Sequence, residues 1–222
     1  SAVEVTAAEQ KVHTTVYGLW QDKSKDYSTD RYGNEVTPEQ VLLDEYVEDY
    51  VRNSKSMNRE MVQFSFPQGD SVITIKNLDQ ELYLKSVKVA EVSGIPSYAD
   101  YLKNQPDIPS ASEKITMQGE DYTVKSDSYI RVKSQQNAGM TPYSPYKKLE
   151  NTVDSSSYDS AGQRIVWNIE IPEDGWYHLA FRYSQPEKEG QSVYRDVEID
   201  GKVPFAELKE VGFSYTGNDF EN

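Results

Sequence analysis

The segment Thr141-Pro-Tyr-Ser-Pro-Tyr146 sets two tyrosines in a proline-stiffened loop, and Asn151, Tyr158, Gln163 and Arg164 follow it closely. That mixture suits a sugar. Sugar rings offer flat C–H patches that stack on aromatic rings, and their hydroxyls need planar polar groups beside the stack. Tyr143, Tyr146, Asn151 and Tyr158 are therefore the candidate ligand-binding residues. Taken singly, each of these aromatics is better explained as cover for a sheet edge. Asp154, Asp159 and Asp219 lie in loops with carbonyl-rich neighbours, the setting that hard cations require. Asp154 and Asp159 are thus candidate ligands of a structural calcium ion, although no EF-hand spacing occurs.

Catalytic chemistry has little to stand on. The chain contains no G-x-S-x-G elbow, no H-E-x-x-H pair and no phosphate-cradling glycine loop. His178 sits beside Trp176 and Tyr177 in an expected strand, with no nucleophile marked near it, and reads as a sheet-surface residue. His13 reads the same way. A carboxylate pair could support glycoside hydrolysis. With 37 acidic residues, however, such pairs arise by chance, and Glu170, Asp196, Glu198 and Asp200 read as one solvated face. The chain is expected not to be an enzyme.

The composition narrows the classes further. The 222 residues include no cysteine, which excludes disulfide scaffolds, thiol catalysis and cysteine zinc sites. The formal net charge of −14 repels phosphate backbones, so no nucleic acid is expected as a partner. No apolar run approaches the roughly 18 residues that would span a membrane, so no direct membrane insertion is expected. No signal peptide is visible, so a secreted protein would be represented here by its mature part or a fragment. Hydrophobic residues make up only 36% and mean hydropathy is −0.76. The 17 tyrosines offset that shortage, because tyrosine buries its ring and keeps its hydroxyl wet. A tyrosine-rich β-protein with a thin core fits these numbers better than a disordered chain.

The elements that must position these residues are mostly strands. Period-two alternation puts Ile165, Trp167, Ile169 and Ile171 on one face, and Tyr177, Leu179, Phe181 and Tyr183 on the face of a second strand. Trp167 and Phe181 alternate with core positions and are assigned to the core. Val193–Asp200 alternates again and ends at Asp200-Gly201, a strong hairpin dipeptide. Earlier runs at Met61–Phe66, Val72–Ile75 and Leu82–Val89 read likewise, as do weaker ones at Ala2–Thr6, Val12–Leu19, Lys114–Met117, Tyr122–Val124 and Tyr129–Lys133. About a dozen short strands imply an all-β antiparallel sandwich or barrel. Pro172–Gly175 and Pro67–Asp70 read as turns. One helix is expected near 38–52, with Thr37 as N-cap, Pro38 in the first turn and Gln40 completing a capping box. A shorter helix is expected over Ser97–Asn104. Residues 93–112 read as a connector between a β-rich part at 1–92 and a second at 113–222. Residues 134–163 read as a long loop, of the kind that is functional or disordered.

These motifs in order are familiar. Gly162-Gln-Arg-Ile-Val-Trp167, Ile171-Pro-Glu-Asp-Gly-Trp-Tyr177, Phe181-Arg-Tyr183 and Ile199-Asp-Gly201 resemble the galactose-binding-like jelly roll of family-six and family-thirty-five carbohydrate-binding modules. Tyr194-Arg-Asp-Val-Glu-Ile-Asp-Gly-Lys-Val-Pro-Phe205 is similar to modules in extracellular sugar-binding lipoproteins of ABC importers from Gram-positive bacteria. Trp20, Tyr32-Gly-Asn34, Thr37-Pro-Glu-Gln40, Phe66-Pro-Gln-Gly69 and Pro96-Ser-Tyr-Ala-Asp-Tyr101 resemble the latter part of such a module.

The resemblance implies a non-catalytic carbohydrate-binding module of an extracellular or cell-surface sugar-capture protein. Its expected partners are an oligosaccharide or polysaccharide and a neighbouring solute-binding domain. It also implies that Tyr143, Tyr146, Asn151 and Tyr158 match edge loops that face sugar. Residues 1–92 look like the late strands of one module and 113–222 like the early strands of another. Either the chain is cut across two modules, or the halves combine into one sandwich with strands of 61–89 paired to strands of 163–200. A structural or protein-interaction sandwich without its own sugar site is the alternative function.

Overall fold

The structure is a computed structural model describing residues 1–56, 59–187 and 189–217. It contains two compact units, one formed by 1–89 with 116–169 and the other by 90–115 with the chain from 170 onward. The first unit thus draws on both of the β-rich parts expected from sequence.

In the first unit, β1 (Ala2–Ala7) pairs antiparallel with β2 (Gln10–Thr15). Their alternation is real. Val3, Val5 and Ala7 point inward from β1 and Val12 and Thr14 from β2, while the residues between them stay wetter. On the wet face Glu4 lies opposite His13, with Oε2 3.6 Å from Nε2, so His13 is the sheet-surface residue expected. Next come β3 (Leu19–Asp22) and β4 (Gln40–Leu43), antiparallel with Asp22 opposite Gln40. β5 (Thr74–Asn77) returns to the free side of β1. β6 (Val124–Lys125) joins β3, placing Lys125 opposite Trp20. β7 (Val132–Lys133) pairs with β8 (Thr152–Val153), and β9 (Ile165–Val166) extends β6. The sheets therefore run β2-β1-β5, β4-β3-β6-β9 and β7-β8.

The second unit holds α1 (Tyr98–Lys103) and the antiparallel pair β10 (Val193–Arg195) and β11 (Val211–Phe213). The expected Ser97–Asn104 helix is present. Ser97 Oγ accepts the Asp100 N–H at 3.2 Å, and the Tyr98 and Tyr101 rings pack on Phe205. Asp200 (φ 51°) and Gly201 (φ 74°) make the turn that the dipeptide foretells, closed by Ile199 and Lys202. Phe213 takes the rings of Phe181 and Tyr183 edge-on.

The protein is all-β in character, but several expectations need correcting. The helix expected near 38–52 does not form: 40–43 is β4, and 44–51 has no regular structure. The residues chosen as caps are occupied by distant partners. Thr37 Oγ1 donates to Glu150 at 3.2 Å, and Gln40 Nε2 donates to Asp22 at 2.7 Å. Leu82–Val89 and Lys114–Met117 are not strands, and 176–184 pairs only through isolated bridges. Ile169 and Ile171 are exposed, so the face they share is not core. Phe181 is exposed and Trp167 half-buried, its indole donating to the Gly119 carbonyl. Gly175 serves a close approach rather than a positive φ, since a Cβ there would lie 2.8 Å from the Ala111 nitrogen. Among the described residues no strand of 61–89 pairs with one of 163–200; β5 pairs with β1 instead. Among them, too, no helix is long and apolar enough to cross a membrane.

The β1–β2 turn carries a visible strain. Ala8 (φ 47°) and Glu9 (φ 64°) both adopt the left-handed region that Asn and Gly favour. Replacing them together by Asn and Gly is expected to raise the unfolding free energy by about 1 kcal/mol, measured as a higher urea midpoint at unchanged m-value. An unchanged or lower midpoint would contradict the assigned turn.

Candidate functional site

Two loops of the first unit are fastened to each other. The first, 28–37, folds around Asp30. Its Oδ1 accepts the N–H groups of Tyr32 (2.8 Å) and Asn34 (2.9 Å), and its Oδ2 accepts Asn34 Nδ2 at 3.0 Å. These donors, the Asn34 side chain first, hold the Asp30 carboxyl below the usual carboxylate range. The second loop, 134–151, folds around Asn151. That side chain is only 3% exposed and each of its polar atoms is used. Oδ1 accepts Gln135 N–H at 2.8 Å, while Nδ2 donates to the carbonyls of Gln135 (3.1 Å) and Pro142 (2.8 Å). The Thr141–Pro142 peptide bond is cis.

Backbone hydrogen bonds join the two loops. Glu35 N–H donates to the Lys148 carbonyl at 2.9 Å, and Lys148 N–H donates to Asn34 Oδ1 at 3.0 Å. Glu150 N–H donates to Glu35 Oε2 at 2.7 Å. The Lys147 side chain lies 3.2 Å from where a Cβ on Gly33 would stand. Adjoining this seam, Tyr146 is 92% exposed, Tyr32 67% and Tyr143 39%. The Arg31 guanidinium lies 4.6 Å from the Tyr32 ring centre. Such an edge offers flat aromatic faces beside carboxylate and guanidinium groups.

The sequence candidates separate accordingly. Tyr143 and Tyr146 stand at the edge. Asn151 does not face a ligand; it is the buried peg of the loop. Tyr158 is half-buried and closes the 3-10 turn Ser155–Ser157. Asp154 is occupied as the cap of that turn, with Oδ2 2.9 Å from Ser156 Oγ and Oδ1 3.3 Å from Lys133 Nζ. Asp159 accepts from Ser160 Oγ, and Asp219 lies outside the described residues. Among the described residues no group of three or more His, Cys, Asp or Glu is placed to hold a metal ion. Tyr32 was not singled out as a ligand residue from sequence, because its exposure follows from the Asp30 turn.

A second site lies deeper. Asp22, Tyr122 and Lys125 have fully buried side chains. Tyr122 Oη donates to Asp22 Oδ1 at 2.8 Å and lies 3.0 Å from Lys125 Nζ. Lys125 Nζ also donates to the Ile130 carbonyl, and Lys25 Nζ donates to the Tyr122 carbonyl. Burial pushes the Lys125 ammonium down to about 8, against the pull of Asp22. Burial and then the Asp22 charge push the Tyr122 phenol up. Glu120, also buried, rises to about 7 through desolvation, with Asp121 and Glu35 adding to it. Glu150 is raised for the same first reason. Closed off from solvent, the Asp22–Tyr122–Lys125 group has no access for an external substrate.

The second unit has a cleft of about 580 Å³ walled by Pro106, Ile108, Ile171 and Tyr177. Its polar groups are largely occupied. Glu173 accepts from Ser112 and Glu113, and the Tyr177 hydroxyl donates to the Glu173 carbonyl. Comparison of the chain with protein-family models, curated proteins and solved structures finds no match.

The Glu120 carboxyl binds its proton more tightly in the folded chain than in the unfolded one. Its stabilising effect is therefore complete below about pH 4.5 and is lost as pH rises through about 7. Glu120→Gln is expected to remove a fall in unfolding free energy on the order of 2 kcal/mol between pH 5 and pH 8. Urea denaturation at both values checks this, and an equal fall in the variant would contradict it.

Proposed function

We propose that the chain is a non-catalytic carbohydrate-binding module, and that its sugar edge is the seam between loops 28–37 and 134–151. The observation that carries this is the pair of exposed tyrosines, Tyr32 and Tyr146, on two loops that backbone and side-chain hydrogen bonds hold in place. Ring faces stack on sugar C–H patches, and the Arg31 guanidinium is of the type that orients hydroxyls. Preset loops lower the ordering cost of binding, although a shallow edge buries little area. The galactose-binding-like jelly roll is the fold that the motif resemblance supports for it. An oligosaccharide or polysaccharide is the ligand class, and the context proposed is an extracellular sugar-capture protein with a neighbouring solute-binding domain.

A second reading has its own support. Tyr83, Leu84, Val87 and Val89 are exposed along one stretch without regular structure. A surface of that kind favours a structural or protein-interaction module.

Calorimetric titration with soluble xylan, galactomannan and mucin glycans separates the two. The sugar reading expects weak binding to at least one of them. Tyr146→Ala and Tyr32→Ala are each expected to weaken it about two- to tenfold with the urea midpoint unchanged. Absence of binding to every glycan, or binding indifferent to both substitutions, would contradict the assigned edge.

A further inference from the structure

We infer that Lys125 and Asp22 are the partners of an intramolecular amide cross-link, formed by condensation of the Lys125 amine with the Asp22 carboxyl inside the first unit. The inference is independent of the sugar reading. Both side chains are fully buried, and Nζ lies 3.7 Å from Oδ1. That distance is too long for a good hydrogen bond and places the amine beside the carboxyl group.

The surroundings of Asp22 are asymmetric. Oδ1 receives two donors, Tyr122 Oη at 2.8 Å and Gln40 Nε2 at 2.7 Å. Oδ2 is buried and has no hydrogen-bond partner among the described residues. As an ion, the carboxylate leaves that second oxygen desolvated and uncompensated, an unfavourable state. The same asymmetry suits acyl transfer. Two fixed donors on Oδ1 are arranged as an oxyanion site, stabilising the negative charge that grows there when an amine adds to the carboxyl carbon. Oδ2, which nothing holds, is the oxygen free to leave.

The balance of the step is simple. The Lys125 ammonium gives up one proton, its lone pair forms a bond to Asp22 Cγ, and the adduct nitrogen then gives up a second; both protons go to Oδ2, which sits beside that nitrogen on the same carbon. Tyr122 Oη touches both Nζ and Oδ1, so it sets the amine against the carboxyl and holds the oxygen that stays on Cγ. The Cγ–Oδ2 bond breaks, and Oδ2 departs with two protons as water. One ammonium and one carboxylate become one neutral amide and one water, with no oxidant or other reactant. Burial favours the reactive form of the amine, since the Lys125 ammonium is pushed down to about 8.

The product also fits its site better than the reactants do. The amide carbonyl oxygen keeps both donors of Oδ1. Its remaining N–H has the Ile130 carbonyl as acceptor, already a partner of Nζ. The unpartnered oxygen is gone, and so are two buried charges. The bond would tie β3 to β6, closing the chain between residues 22 and 125 with a covalent link.

The test is the intact mass of the purified protein under denaturing conditions. The expected mass is lower than the sequence mass by one water, and a digest is expected to yield one branched peptide joining Asp22 to Lys125. Lys125→Met and Asp22→Ala are each expected to restore the full sequence mass. Full mass in the wild-type chain would overturn the inference. So would a loss of water that persists in Lys125→Met, because succinimide formation at Asp174-Gly175 or Asp200-Gly201 produces the same change.

Discussion

The first unit is organised around a buried charge. Asp22 ends β3, Gln40 begins β4, Tyr122 precedes β6, Lys125 ends it, and Ile130 leads into β7. All of these meet at one carboxylate and one ammonium. Taking either charge out of water is costly unless partners surround it, and removing one member of such a pair typically costs about 3–5 kcal/mol. The strands are short, and β6 has only two residues, so ladder hydrogen bonds alone fix little. The polar group supplies the register that a larger apolar core would otherwise impose.

That arrangement explains the thin hydrophobic core. Buried apolar side chains concentrate at Val3, Val5, Ala7 and Val12 and at Tyr122, Ile130 and Val132, while polar residues such as Glu120, Lys125, Asn151 and Gln163 are buried among them. Asn151 and Gln163 are pegs: their amides hold loop backbone in fixed conformations. Glu150 links the two levels. Its carboxylate meets Thr37, just before β4, and its N–H meets Glu35 in the exposed seam. Core and edge are thus one continuous network, and the edge tyrosines ride on loops that the network fixes.

Local signals in the sequence were readable where local chemistry decides the outcome. Val3 and Val5 alternate with polar neighbours and form a strand. Ser97 caps α1 through the Asp100 N–H, and Asp200-Gly201 turns as that pair does elsewhere. The failures share a cause. Thr37 and Gln40 have the types and spacing of a capping box, yet their side chains reach Glu150 and Asp22, 113 and 18 positions away respectively. Ala8-Glu9 makes a hairpin turn without the residues that signal one. Tyr143 and Tyr146 are legible as loop aromatics, but Asn151 has the composition of a ligand residue and the role of a peg. A buried lysine or aspartate looks, as a letter, like any surface one, so the Asp22–Tyr122–Lys125 group could not be read before the strands were placed.

The central claim is that an internally fixed pair of loops presents tyrosines to a sugar. Hydrogen exchange of the backbone amides, with and without a saturating soluble polysaccharide such as galactomannan or xylan, tests it most directly. The account predicts added protection at residues 31–36 and 143–149, with β3 and β6 unchanged because they are already closed. Protection confined to the second unit, or none in either loop with every glycan, would contradict it.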